Sequence, residues 1–147
     1  MPARMRIPGI LLFVFLCGAL TAFAQGRDGD PGPIKSSPAY AEILLRKTEL
    51  LADIEAVSAD YTESNPKMLD LRFELASLDK STEKVFAIKP TETGKLTEAL
   101  GKLIVKRAAL DAEFNRLSRG YSKDHPEVKR AKRRLDIFDA AINEVLR

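Results

Sequence analysis

Tyr61-Thr-Glu-Ser-Asn-Pro66 returns sixty residues later as Tyr121-Ser-Lys-Asp-His-Pro126, and this recurrence decides how the whole chain is read. Around the two segments, Leu44 to Phe86 lies over Ile104 to Leu146 without a gap. Eight of the 43 aligned positions are identical: Leu50/Leu110, Ala52/Ala112, Ser58/Ser118, Tyr61/Tyr121, Pro66/Pro126, Leu75/Leu135, Asp79/Asp139 and Val85/Val145. Residue class is kept more widely, with apolar on apolar at Ile54/Phe114, Val57/Leu117, Met68/Val128 and Leu78/Phe138. A duplicated supersecondary unit sets the architecture before any single residue does.

Each Tyr-x4-Pro segment reads as a chain reversal. Pro66 and Pro126 suit the first position of a helix, where a missing N–H leaves no bond unmade. Asn65 and His125 stand before them as caps. Gly120 offers a left-handed stop for the helix that precedes the second reversal. A connection this short turns the flanking helices antiparallel.

The flanks carry helical periodicity. Ser37-Pro38 starts a first helix whose stripe is Ile43, Leu50, Ile54, Val57 and Tyr61. Met68, Leu71, Leu75, Leu78, Thr82 and Val85 form a second, stepping by three and four. Phe86 to Gly94 breaks the pattern at Pro90 and Gly94. Leu96, Leu100, Leu103, Arg107, Leu110, Phe114, Leu117 and Tyr121 line a third helix, and Val128, Ala131, Leu135, Phe138, Ile142 and Val145 a fourth. This rhythm is that of a coiled-coil seam. The expected fold is all-α: two tandem antiparallel helical hairpins forming a 60-residue internal repeat. The apolar faces are wider than a two-helix seam, since Leu44, Leu51, Ile104, Ala108, Ala112, Ile137, Ala141 and Leu146 extend them. That width predicts a four-helix bundle in which each helix touches two neighbours. Two hairpins in line, paired with another molecule, is the other arrangement.

The N-terminus reads as a processing signal. Arg4 and Arg6 precede an uncharged core, Ile10 to Leu20, and Thr21-Ala22-Phe23-Ala24 follows with the A-x-A pattern of a cleavage site. The apolar run from Gly9 to Ala24 is 16 residues, short of the roughly 20 that span a bilayer. Cys17 follows Leu16, where a lipoprotein signal wants a small residue. The predicted layout is a signal peptide over 1–24, a flexible leader over 25–37, one hairpin over 38–87, a linker over 88–94 and a second hairpin over 95–147. The leader is rich in Gly, Pro and Asp. Its Asp28 and Asp30 resemble the start of a calcium loop without the remaining acids. Cleavage would remove the only cysteine, and with it any disulfide or thiolate chemistry. No second apolar run of membrane length follows, so no transmembrane span is expected after cleavage. The location predicted is periplasmic or secreted.

The charge is asymmetric. Residues 25–94 carry nine Lys/Arg and 13 Asp/Glu, a net −4; residues 95–147 carry 13 and eight, a net +5. Much of the excess is one run, Lys129, Arg130, Lys132, Arg133 and Arg134, interrupted only by Ala131. Its counterpart, Leu69 to Glu74, has one base and two acids. The run reads either as a solvated face partly neutralised by acids of the first hairpin, or as a site for an anionic partner such as an acidic polysaccharide, lipid headgroups or an acidic protein. Nucleic acid does not suit an exported chain without aromatic residues among the bases.

Catalytic signatures are missing from the sequence: no phosphate-binding glycine loop, no G-x-S-x-G and no H-E-x-x-H. His125 is the only histidine and reads as a cap or turn residue, so no metal or cofactor is expected. Lys47 and Asp79, and Arg107 and Asp139, are equidistant from their reversals. Each pair is therefore expected to form one ion pair that pins the register of its hairpin.

Tyr121 to Phe138, YSKDHPEVKRAKRRLDIF, resembles a recurrent segment in the periplasmic coiled coils of chain-length-determinant (Wzz-type) polysaccharide co-polymerases and their export relatives. Tyr121, His125, Pro126, Val128 and Leu135 carry the resemblance, and Tyr61, Pro66, Met68 and Leu75 follow it more loosely. The family's flanking pair of membrane helices and its kinase segment have no counterpart in this sequence. The resemblance implies an envelope scaffolding role beside polysaccharide synthesis or export, and transfers no active site. The expected function is that of an exported, non-enzymatic helical-hairpin protein acting through contact with a protein partner or with itself. A small periplasmic chaperone or stress sensor that cradles unfolded clients is the second reading.

Overall fold

A computed structural model describes residues 32–147. The signal-peptide reading of 1–24, with Cys17, and the reading of Asp28 and Asp30 lie outside the described residues. The described residues are all-helical, with six helices packed on one another. They are α1 (Gly32–Lys35), α2 (Pro38–Ser58), α3 (Pro66–Phe86), a 3-10 turn (Pro90–Lys95), α4 (Glu98–Gly120) and α5 (Pro126–Leu146).

Local chemistry places the starts. Ser37, Asn65, Thr97 and His125 are extended N-caps whose side chains accept from Tyr40 N, Lys67 N, Leu100 N and Glu127 N. Proline occupies the first turn of α2, α3 and α5. The two reversals share one backbone pattern. Tyr61 N and Tyr121 N donate to Val57 O and Leu117 O at 3.0 and 2.9 Å, and Asn65 N and His125 N donate to Thr62 O and Ser122 O at 3.0 Å. The sequence repeat is thus a repeat of conformation. Gly120 differs from expectation: it stays helical, and α4 stops because Tyr121 becomes extended, at φ −131° and ψ 155°.

Residues 32–37 belong to the folded body rather than to a leader. Ile34, the one large apolar residue of that stretch, is buried in the main core cluster, and Ser37 Oγ donates to Ile34 O at 2.6 Å. Helix α1 packs on the 3-10 turn, so a short helix stands before the first long helix of each repeat.

Helix α4 is the hub. It packs on α2, α3 and α5, whereas the extensive contact of α5 is with α4 alone. Each helix was expected to lie between two neighbours; α2, α3 and α4 do, and α5 does not. The core joins Ile43, Leu50, Leu78, Val85, Leu96, Leu100, Ile104 and Ala108. Helix α5 buries only a narrow stripe, Val128, Ala131, Leu135 and Ile142. The wide apolar faces are therefore filled in part. Ile104, Ala108 and Ala112 are buried as expected; Leu44, Leu51 and Ile137 are exposed.

Both register pairs form. Lys47 Nζ donates to Asp79 Oδ1 at 2.6 Å, and Arg107 Nε donates to Asp139 Oδ1 at 3.0 Å. Arg107 does more than bridge its own repeat. Its Nη1 donates to Ser77 Oγ of α3 and to Asp111 Oδ2, both at 2.9 Å, and Ser77 Oγ donates to Asp111 at 2.7 Å. Glu74, nearly buried, accepts from Arg46 at 2.9 and 2.7 Å. Burial opposes the Arg46 charge, but its bonds to Glu74 and Glu49 outweigh that and hold its pKa above the ordinary value.

Candidate functional site: a cationic groove between α4 and α5

The last turns of α4, the second reversal and the first turns of α5 enclose a groove of about 570 Å³. Phe114 and Ser118 come from α4, Lys123 from the reversal, and Val128, Lys129, Lys132 and Arg133 from α5. Val128 is buried and Phe114 half-buried, so the floor is apolar. The rim is cationic.

The five-residue basic run does not form one patch. On a helix, residues three and four apart share a face. Lys129, Lys132 and Arg133 take the groove side with Phe114. Arg130 and Arg134 take the other flank. Arg134 Nη1 donates to Glu113 of α4 at 3.2 Å, and Arg130 pairs with Glu127. Lys129 meets Asp124 at 2.9 Å and Lys132 meets Asp136 at 2.6 Å. These partners all belong to the second repeat. The expected neutralisation by acids of the first repeat does not occur: the extensive contact of α5 is with α4, and the partners of the run lie on α4, α5 and the reversal between them. Arg133 and Lys123 have no ion-pair partner among the described residues. The pairs that do form are exposed, and such pairs open at small cost, roughly 0–1 kcal/mol. All four rim cations are accordingly open to an anion.

In the second reversal the Tyr121 ring stacks on the His125 ring, with centroids 4.2 Å apart and planes 21° apart. His125 Nδ1 accepts from Glu127 N at 3.3 Å. Pro126 sets the first turn of α5 beneath it. Tyr61 and Pro66 repeat this framework in the first repeat, where Asn65 Oδ1 accepts from Lys67 N at 2.9 Å. Both tyrosines are half-exposed. Among the described residues, no three His, Cys, Asp or Glu side chains gather where they could hold a metal ion. No helix among them is long and apolar enough to cross a membrane.

Sequence reading located the cations and overlooked the floor. Phe114 and Val128 both lie in phase with the seam. The signal that separates them from the rest of the seam is positional: each lies within two turns of the second reversal, beside the cations of the basic run. The chain matches no protein-family model, no curated protein and no solved structure.

Proposed function

We propose that the protein is an exported, non-enzymatic scaffold of the cell envelope, built from two antiparallel helical hairpins in an open four-helix arrangement. It works by surface contact, and the groove between α4 and α5 holds an acidic polysaccharide chain. One observation carries this reading. An apolar floor of Phe114 and Val128 is bordered by four cations, two of which have no ion-pair partner among the described residues. A sugar ring offers an apolar face to Phe114, and its carboxylate reaches the rim. The resemblance of Tyr121 to Phe138 to the coiled coils of polysaccharide co-polymerases supports the same class of partner.

The test is retention of the full chain on a uronic-acid polysaccharide across a salt series. Binding should weaken as salt rises. Lys129→Gln with Lys132→Gln and Arg133→Gln should abolish it, while Arg130→Gln with Arg134→Gln, on the other flank, should leave it in place. Retention that ignores the first triple change overturns the reading. The second reading, a chaperone-like cradle, is favoured by the exposed Leu44, Leu45 and Leu51. It predicts capture of an unfolded apolar client that persists at high salt.

A further inference from the structure

The joint by which α4 docks on the first repeat has a second, unoccupied version on the outside of the molecule. Helix α4 docks through a stripe of small and apolar residues, Gly101, Ile104, Ala108 and Ala112, all of them buried. At Gly101 the approach is so close that a Cβ would stand 2.7 Å from Ala39 O. Sixty residues earlier, the equivalent stripe of α2 is Ala41, Leu44, Thr48 and Ala52, and every one of these is exposed, Leu44 at 48 %.

The receiving surface is duplicated too. Helix α3 meets α4 with Asp70, Glu74 and Ser77; Glu74 and Ser77 are only 9 % and 6 % exposed. Their equivalents on α5 are Arg130, Arg134 and Ile137. Ile137, at 65 %, is the most exposed large apolar residue described. So α2 carries an unused docking stripe and α5 an unused seat.

The two surfaces match each other in chemistry. At the inner joint, Asp111 of α4 accepts from Ser77 of α3. The equivalents of that contacting pair are Leu51 and Ile137, at 49 % and 65 % exposure. A polar pair on both sides has become an apolar pair on both sides. The charges change together as well. At the inner joint Arg119 of α4 donates to Asp70 of α3. At the outer one the stripe is acidic and the seat basic. Residues 48–60 hold Glu49, Asp53, Glu55 and Asp60 with no Lys or Arg, and the seat holds Arg130 and Arg134 with Lys102 and Lys106 alongside on α4. Asp53, Glu55 and Asp60 have no ion-pair partner among the described residues.

We propose that α2 of one copy docks on the α4–α5 face of a second copy, as α4 docks on α2 and α3 within the chain. Like charges oppose stripe on stripe and seat on seat, so the contact is head-to-tail rather than two-fold. Head-to-tail contacts build a ring where the rotation closes and an open filament where it does not. Leu51 sits against Ile137 at its centre. Of the groove cations, Lys132 lies farthest in helical phase from Ile137 and Arg134, on the other flank of α5, so a change at Lys132 separates this surface from the groove.

Sedimentation of the full chain over a concentration series tests it. The wild type should associate progressively beyond two chains. Leu51→Arg places a base against the basic seat, and Ile137→Glu places an acid against the acidic stripe. Each alone should weaken association by about tenfold or more, and mixing the two variants should restore it. Both positions are exposed, so helical circular dichroism should be unchanged. Leu51→Gln and Ile137→Gln, which add no charge, should weaken association in the same sense. Lys132→Gln, on the groove flank, should leave association untouched. A wild type that stays a single chain overturns the proposal. So does association that survives in every variant, as the apolar run Ile10 to Leu20 would produce, and so does a mixture of the two charged variants that fails to recombine.

Discussion

Lys47 in the first repeat and Arg107 in the second stand at equivalent positions, and each donates to an aspartate 32 residues further on. Lys47 and Asp79 do so at the surface, both side chains close to half exposed. The Arg107 side chain is mostly buried and also holds Asp111 and Ser77. The difference is one of valence. Lysine is a point donor and serves one carboxylate; the guanidinium fork can serve three helices at once. One inherited pair has remained a local register pin, and its copy has become the joint between the repeats. Replacing Arg107 by Ala leaves Asp111 and Asp139 without their shared cation and Ser77 half-satisfied, at a cost of about 2–3 kcal/mol. Lys47→Ala should cost less than about 1 kcal/mol. Urea midpoints of the two variants make the comparison directly, and equal losses would break it.

Gly101 and Ala41 extend the contrast to backbone approach. In a free helix Gly101→Ala would stabilise by about 1 kcal/mol. Here the new Cβ meets the backbone of α2, which cannot yield as a side-chain tip would. Overpacking of this kind costs about 1–3 kcal/mol, so the variant should be destabilised despite its better propensity. At Ala41 the opposite change, Ala41→Gly, should cost about 1 kcal/mol from propensity alone, because that residue is exposed. Thermal melts that rank the two alike would mean that the close approach of α2 and α4 does not limit their packing.

Those two positions also mark how much could be read without coordinates. The helices, their proline-led starts and both ion pairs were legible because each rests on local spacing: 3.6-residue periodicity, a cap and equidistance from a turn. What periodicity cannot state is how many neighbours an apolar face has. Ile137 and Ile142 look equally apolar in sequence, yet Ile142 is buried and Ile137 stands in solvent. The groove escaped for the same reason, since Phe114 and Val128 lie in phase with the seam. The basic run was visible as composition, while its division between two flanks of α5 is a matter of helical phase and of which neighbour α5 lacks. Ile34 reads as leader in the sequence because one apolar residue among Gly, Pro and Ser carries no period.

The two caps give a smaller test. Asn65 and His125 hold the same place, each accepting from the N–H two residues on. His125→Ala and Asn65→Ala should each cost about 1 kcal/mol. His125→Asn should recover most of that loss, because the acceptor is restored. The remainder measures the stack of His125 on Tyr121, which the first repeat does not have. If His125→Asn melts as low as His125→Ala, the ring contact rather than the cap holds the second reversal.

The smallest effect concerns the short helices that precede each repeat. Lys95 Nζ, closing the 3-10 turn, donates to Glu92 Oε1 at 3.0 Å and to Leu146 O at 3.2 Å, tying the end of α5 to the turn before α4. In the first repeat Lys35 holds the equivalent place, with Gly32 where Glu92 would be. The hydrogen bond from Lys95, and then its charge, hold the Glu92 carboxyl below the usual range. A carboxylate whose folded pKa lies below its unfolded value contributes fully above the unfolded value, and that contribution is lost as pH falls through the folded one. Glu92→Gln should therefore unfold slightly earlier than the wild type in urea at neutral pH, and the two midpoints should converge as the pH falls below the ordinary carboxylate range. A gap that stays constant with pH would assign the loss to packing at the turn. Convergence would show that charge at this point tethers the end of α5, whose other extensive support is α4 alone.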